Sequence, residues 1–276
     1  MKSIAFGQYY PADSVIHRLD PRAKVIMMIL YIVCSMICKN VIAFGVLLLS
    51  AVAIVLLSRI PARTILRSIR PLIFIMLFTV VLNVFWTTGE KPLLEWGIIQ
   101  IYPEGLYKAA FMMVRIICMI VVTSILLTYT TTPIALTDAL ERLLGPLKKI
   151  RVPVHEFTMM MTIALRFIPT LIEETEKIMA AQKARGADFA SGNLIKRAKA
   201  LIPILIPLFV SAFRRADELA VAMECRCYRG GKGRTKLHVL HLCASDVFWM
   251  LSFVALGAGL ILINVYGVGY TMGGVI

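Results

Sequence analysis

Two arginines sit in matched settings. Arg185 lies between Ala184 and Gly186, and Arg226 lies between Cys225 and Cys227. A guanidinium is a planar fork of donors that can grip a carboxylate through two bonds, and neighbours with almost no side-chain bulk let a partner's backbone come close. Shifting the sequence by 41 positions superposes the two: Glu176 falls on Asp217, Ala181 on Ala222, Ala184 on Cys225, Arg185 on Arg226 and Gly186 on Cys227. An arginine that only complements a helix C-terminal dipole needs no small residue on both sides and no matching acid upstream. Two like docking ends suggest two like partners.

Other chemistry is approached and then missed. The run Arg229-Gly230-Gly231-Lys232-Gly233-Arg234-Thr235 is glycine-rich and basic. Position 226, where a phosphate loop needs its first glycine, is arginine, and Lys232 is followed by glycine rather than Ser or Thr, so this is not a Walker A motif. A flexible basic loop near anionic lipid accounts for it. His155-Glu156 opens like a zinc-protease motif, but Met159 stands where the second histidine belongs. His238 and His241, near Cys243, read as interfacial residues. Cys225 and Cys227 lack a second pair at zinc spacing, and Cys34, Cys38 and Cys118 lie in apolar runs where a free thiol behaves as a small hydrophobe. No disulfide framework, metal or cofactor is implied, and Cys225 and Cys227 read as reduced and cytosolic.

The elements that must position the arginines follow from composition. Of 276 residues, 59% are hydrophobic and 17% charged, against about 45–50% apolar in soluble domains. The mean hydropathy is +0.81. This is an all-α integral membrane protein. The 30 Lys and Arg outweigh the 16 Asp and Glu by +14, but the cations alternate with charge-free stretches. Positive-inside topology explains them more simply than nucleic acid.

Residues 25–38 and 41–57 are apolar runs parted only by Lys39-Asn40. As one helix they would reach ~50 Å, too long for a ~30 Å hydrocarbon core, so they read as a helical hairpin. Further spans cover 72–88, 106–129, with Arg115 inside it, and 244–266, giving about five transmembrane helices. A cytoplasmic N-terminus puts Arg18, Arg22, Lys24, Arg59, Arg63, Arg67 and Arg70 inside, and the acidic loop of Glu90, Glu95 and Glu104 outside with the C-terminus. Asp13, Asp20 and Pro21 precede the first run and no small-residue cleavage site follows it, against a cleaved signal peptide.

The domains expected are a cytosolic segment (1–24), a four-helix membrane region (25–129), an amphipathic and cytosolic coupling domain (130–243) and a last span with an extracytoplasmic tail (244–276). The coupling domain holds 18 of the Lys and Arg and 10 of the Asp and Glu. Thr132-Pro133 is an N-cap and N1 pair before Leu136, Leu140, Leu143, Leu144 and Leu147, an amphipathic helix closed by Gly145-Pro146. Helical segments over 154–186 and 193–228 follow, interrupted by Pro169 and by Pro203 and Pro207. Their apolar first halves would rest at the membrane interface, with the charged ends reaching the cytosol.

The N-terminal Gly7-Gln8-Tyr9 and His17-Arg18-Leu19-Asp20-Pro21-Arg22, with Arg166-Phe167-Ile168-Pro169-Thr170 through Ala181-Gln182-Lys183-Ala184-Arg185-Gly186, resemble the transmembrane T-component of energy-coupling factor (ECF) transporters, EcfT. The resemblance runs over nearly the whole chain. It implies a non-catalytic subunit of an ABC-type importer, without cofactors, that joins two cytosolic ATPases (EcfA and EcfA′) to an interchangeable membrane S-component in the bacterial cell membrane. The family's two X-Arg-X motifs, with X small, map onto Ala184-Arg185-Gly186 and Cys225-Arg226-Cys227; cysteine departs from the usual Ala or Gly but is still small. Vitamins are the cargo the resemblance implies, and the alternative is a dedicated cobalt or nickel importer. An intramembrane enzyme would need a nucleophile and base or a metal set within the spans, and a secondary transporter would need intramembrane ionisable sites beyond Arg115. The chain lacks a phosphate loop, so the purified protein, rigorously freed of ATPases, is expected to show no ATP turnover above blank in a phosphate-release assay.

Overall fold

The computed structural model describes residues 9–86, 94–96, 99–187, 189, 193–230 and 241–266. Gly7, Gln8, Glu90, His238, the stretch from Gly231 to Thr235 and the tail from 267 onward fall outside these. The chain forms two compact units, Met1–Ala139 with Val239–Ile276, and Leu140–His238.

The first unit is a helical bundle. Asp20 opens α1 (Pro21–Ile37) by accepting a hydrogen bond from the Arg22 N–H at 2.8 Å, with Pro21 at the first helical position. Lys39-Asn40 then turns the chain into α2 (Val41–Ser58), which ends on Arg59 in a left-handed conformation. The third span begins earlier than hydropathy suggests. α3 (Ala62–Ile69) carries Arg63 and Arg67, and a 3₁₀ turn at Arg70–Leu72, built round Pro71, joins it to α4 (Ile73–Trp86). Strands β1 (Leu94–Trp96) and β2 (Ile99–Ile101) make a small antiparallel hairpin, the one described departure from an all-α fold. α5 (Pro103–Thr123) follows and widens into a π-helical turn at Ser124–Tyr129. The unit closes with α9 (Ala244–Val265).

Four stretches, Val41–Ser58, Ala62–Trp86, Pro103–Tyr129 and Ala244–Val265, are long and apolar enough to cross a membrane. α1, expected as a fifth pass, has 17 residues and is not among them. Its polar ends nevertheless match those of a candidate span. At one end the Asp20 N–H donates to Asp246 Oδ1 at 2.9 Å; at the other, Asn264 Nδ2 donates to the Ile37 carbonyl at 2.7 Å and Asn40 Nδ2 to the Ile263 carbonyl at 3.2 Å. α1 and α9 therefore run parallel and in register, and at 1.5 Å per residue both cover ~26 Å between their polar ends, close to a ~30 Å hydrocarbon core. They approach closely: a Cβ on Gly257 would stand 3.0 Å from Cys34 Sγ.

α5 runs the opposite way, with Arg115 near the end of α1 and Thr130 near its start. Arg115, set within a span, is held inside the chain. Its Nη2 donates to the Cys38 carbonyl at 2.8 Å, and its guanidinium lies 5.2 Å from the centre of the Phe44 ring. Cys38 is the C-cap of α1, so the cation satisfies a carbonyl that a helix end leaves without a donor.

In the second unit, α6 (Pro133–Leu143), which begins in the first unit with Thr132 Oγ1 capping the Ala135 N–H at 3.3 Å, leads through a 3₁₀ turn at Gly145–Ile150 to α7 (Val154–Ala184) and α8 (Leu194–Cys225). The expected interruptions do not occur. Pro169, Pro203 and Pro207 all lie inside continuous helices. A proline removes the bond to the carbonyl four residues back, and for Pro207 that carbonyl belongs to Pro203. Gln182 Nε2 of α7 donates to it at 3.4 Å.

A charged hydrogen bond contributes about 1.5–3 kcal/mol net, so Arg115→Met should destabilise the detergent-purified chain by about that amount in a denaturation series, with Arg115→Lys intermediate.

Candidate functional site

Both arginine triads are helix C-caps of the same construction. At the end of α7, Arg185 is the C-cap and Gly186 takes φ +87°; the Gly186 N–H donates to the Lys183 carbonyl at 3.0 Å and the Ala187 N–H to the Gln182 carbonyl at 3.0 Å. At the end of α8, Arg226 is the C-cap and Cys227 takes φ +55°; the Cys227 N–H donates to the Glu224 carbonyl at 2.8 Å and the Tyr228 N–H to the Met223 carbonyl at 3.0 Å. These are two Schellman motifs. Part of the small-residue pattern thus has a backbone cause: the residue after each arginine must be left-handed, which is easy for Gly186 and costs Cys227 about 1 kcal/mol.

The cap does not account for the arginines. Arg185, Arg226 and all four flanking residues are exposed. Among the described residues neither guanidinium has a hydrogen-bond or salt-bridge partner. The repeated acids do not serve them, since nine residues are two and a half turns and put Glu176 and Asp217 on the opposite helix faces. The structure leaves both forks facing outward at fixed helix ends.

The two ends are held apart by the packing of α7 on α8. Arg215 Nη2 meets Glu174 Oε2 at 3.1 Å, Gln182 reaches Pro203, and Ile163, Phe167 and Leu171 face Ala212, Ala216 and Ala220. As the α7 numbers rise the α8 numbers fall, so the pair is antiparallel. Alanines four apart let the helices approach. The Glu174 carboxyl is held below the usual carboxylate range by a hydrogen bond with Ser211 and by Arg215, so the pair stays charged at neutral pH. Arg185 lies beside the α8 turn at Pro203, and 23 residues of helix from there to Arg226 put the triads ~35 Å apart. The outer face of α8, with Leu205, Ile206, Phe209, Val210 and Phe213, is uncovered and apolar. His155 ties α7 to α6 through Glu141 at 3.0 Å.

One polar cluster was not visible as such in the sequence. Lys24 is 1% exposed and Asp246 2% exposed, where a cation and an acid flanking apolar runs would ordinarily sit in water. Beside them, burial lowers the pKa of His17; the neutral ring donates from Nε2 to the Tyr10 carbonyl at 2.9 Å and accepts at Nδ1 from the Ser14 hydroxyl at 2.7 Å. The one signal was spacing: Asp246 stands three residues after Cys243, and its carboxylate accepts the Cys243 N–H at 2.8 Å as half of a capping box.

Fold and site together define a multi-pass membrane protein with a charged, helical second unit. Among known proteins, the CbiQ family model, described as a cobalt transport protein, matches residues 12–237. The energy-coupling factor transporter transmembrane protein EcfT of Acidaminococcus fermentans is 51% identical over 93% of this chain and 95% of its own length. Those of Thermosediminibacter oceani and Bacillus subtilis are 50% and 46% identical over 93% and 94% of this chain, and 95% and 97% of their own. The chain belongs to this family of ECF transporter transmembrane proteins.

The cap geometry separates the roles of the flanking residues. A Cβ on Gly186 meets nothing within 4 Å, so Gly186→Ala carries only the backbone cost, about 1 kcal/mol, whereas Cys227→Gly should tighten its cap by about 0.5–1 kcal/mol. Amide hydrogen exchange at the two helix ends should move in these opposite directions.

Proposed function

We propose that the chain couples two ATPases to a substrate-binding membrane subunit, each ATPase docking on one arginine triad. The observation that carries this reading is the duplication: two identically capped helix ends, each presenting an arginine with no partner among the described residues, ~35 Å apart on an antiparallel pair. That separation exceeds the diameter of a small domain and suits two bodies rather than one. ATP binding closes the ATPases, α7 and α8 move with them, and the apolar outer face of α8 passes the motion to the S-component. Residues 130–243 act as the cytosolic coupling domain. The N-terminus is cytoplasmic and the C-terminus extracytoplasmic, since Arg59 and Lys24 flank the membrane helices at one end and Glu104 at the other.

Vitamins are the cargo we infer, because the relatives matched over nearly their whole length are named as energy-coupling factor transporter proteins, without a metal in the name. The family model's description as a cobalt transport protein favours a second reading, a dedicated metal importer. Proteoliposomes holding the complex, given a panel of radiolabelled B vitamins and, separately, radioactive cobalt, decide between them.

Loss of one charged hydrogen bond should weaken docking by ~10- to 100-fold. Arg185→Glu and Arg226→Glu should do worse by setting like charges against a carboxylate in the partner groove, and Lys at either position should rescue only in part. The measurement is ATPase co-purification and ATP-dependent uptake for each single and the double variant, with membrane insertion checked separately. A double Arg→Glu variant that inserts, keeps both ATPases and transports at the parental rate would refute the docking reading.

A further inference from the structure

The chain leaves the first unit after Ala139 and re-enters it at Val239; within that unit the stretch leading to the outgoing crossing, at Thr130, and the stretch following the returning one, at Asp246, are both tied to the start of α1. Lys24 Nζ donates to the Thr130 carbonyl at 2.8 Å and to the His17 carbonyl at 3.3 Å. Asp246 accepts the Asp20 N–H at 2.9 Å through Oδ1 and the Cys243 N–H at 2.8 Å through Oδ2. Asp20 and Asp246 are the acids that act electrostatically on Lys24. The outgoing stretch is fastened further: the Tyr10 N–H donates to the Tyr129 carbonyl at 3.0 Å, and the Thr130 and Thr131 hydroxyls to the Leu126 carbonyl at 2.9 and 3.0 Å.

Burying an ammonium and two carboxylates is costly, and cohesion of the bundle does not require it. Apolar contacts already close the bundle: Tyr31 packs edge-on against Phe253, Phe44 against Phe111, and Gly257 against Cys34. What directed charge adds is fixed geometry. It is spent where the chain passes to and from the helices that carry the arginines, at the end of a π-helical turn whose wide ladder would otherwise be soft.

We infer that Lys24 and Asp246 are positioning residues, a buried charge node that clamps to α1 the stretches of the first unit next to both crossings, so that movement of the second unit is delivered to the membrane helices instead of being absorbed in those stretches. This rests on the coupling reading and deepens it.

The test uses the intact complex of this chain with its ATPases and S-component, carrying Lys24→Met, Lys24→Arg or Asp246→Asn. Two quantities are read: amide exchange over 126–135 and 241–248, and uptake per ATP hydrolysed, with whichever radiolabelled vitamin or cobalt the parental complex transports. Lys24→Met complexes should assemble and hydrolyse ATP, while exchange rises about tenfold in both segments together and uptake per ATP falls about tenfold. Lys24→Arg should restore most of both. The near-isosteric Asp246→Asn keeps an acceptor oxygen and carries the same test where the methionine variant does not assemble. An unchanged coupling ratio, loosening of only one of the two stretches, or a rise in exchange spread through α2 and α5 would overturn the node. Failure of the docking reading looks different: ATPases that do not co-purify with the parental chain.

Discussion

A helix leaves its first four N–H groups and its last four carbonyls without partners, and in an apolar medium each orphan is expensive. Most of the polar structure here is an answer to that constraint. Arg115 supplies the donor missing at the end of α1, and Asn40 and Asn264 tie the ends of α1 and α9 to each other. Asp20 and Asp246 cap the starts of the same two helices. Where water is at hand, at the ends of α7 and α8, the backbone closes on itself through left-handed residues. That self-sufficiency leaves the arginine side chains at those ends without structural duty.

Hydropathy and charge made four of the spans legible, and the helical hairpin at Lys39-Asn40, because transfer from water is a local property summed along the chain. Properties that depend on a distant partner were hidden. Pro203 and Pro207 read as breaks because a lone helix has no donor to offer the freed carbonyl, whereas Gln182, 21 positions upstream of Pro203, has one. Lys24 read as one more cytoplasmic cation, since nothing near it in sequence announces the Thr130 carbonyl 106 positions away. Arg115, placed by sequence only within a span, has its partner, the Cys38 carbonyl, 77 positions away. The β1 and β2 hairpin is too short for strand periodicity to register.

The triads were found by repetition, and the structure divides their meaning. The residue after each arginine answers to backbone conformation, the arginine to neither backbone nor neighbours, and the residue before it to neither, being merely small and exposed. Duplication of the whole device on antiparallel helices turns one sequence pattern into two outward-facing arginines about 35 Å apart.

The parallel alignment of α1 with α9 joins two helices far apart in the sequence. On a ribosome α1 is made well before α9, with the entire charged second unit translated between them. Until α9 emerges, the Ile37 carbonyl lacks the Asn264 amide and the Asp20 N–H lacks its carboxylate. The bundle is therefore completed only once α9 has been made, and a chain cut short before it leaves those two backbone groups of α1 without the partners they have here.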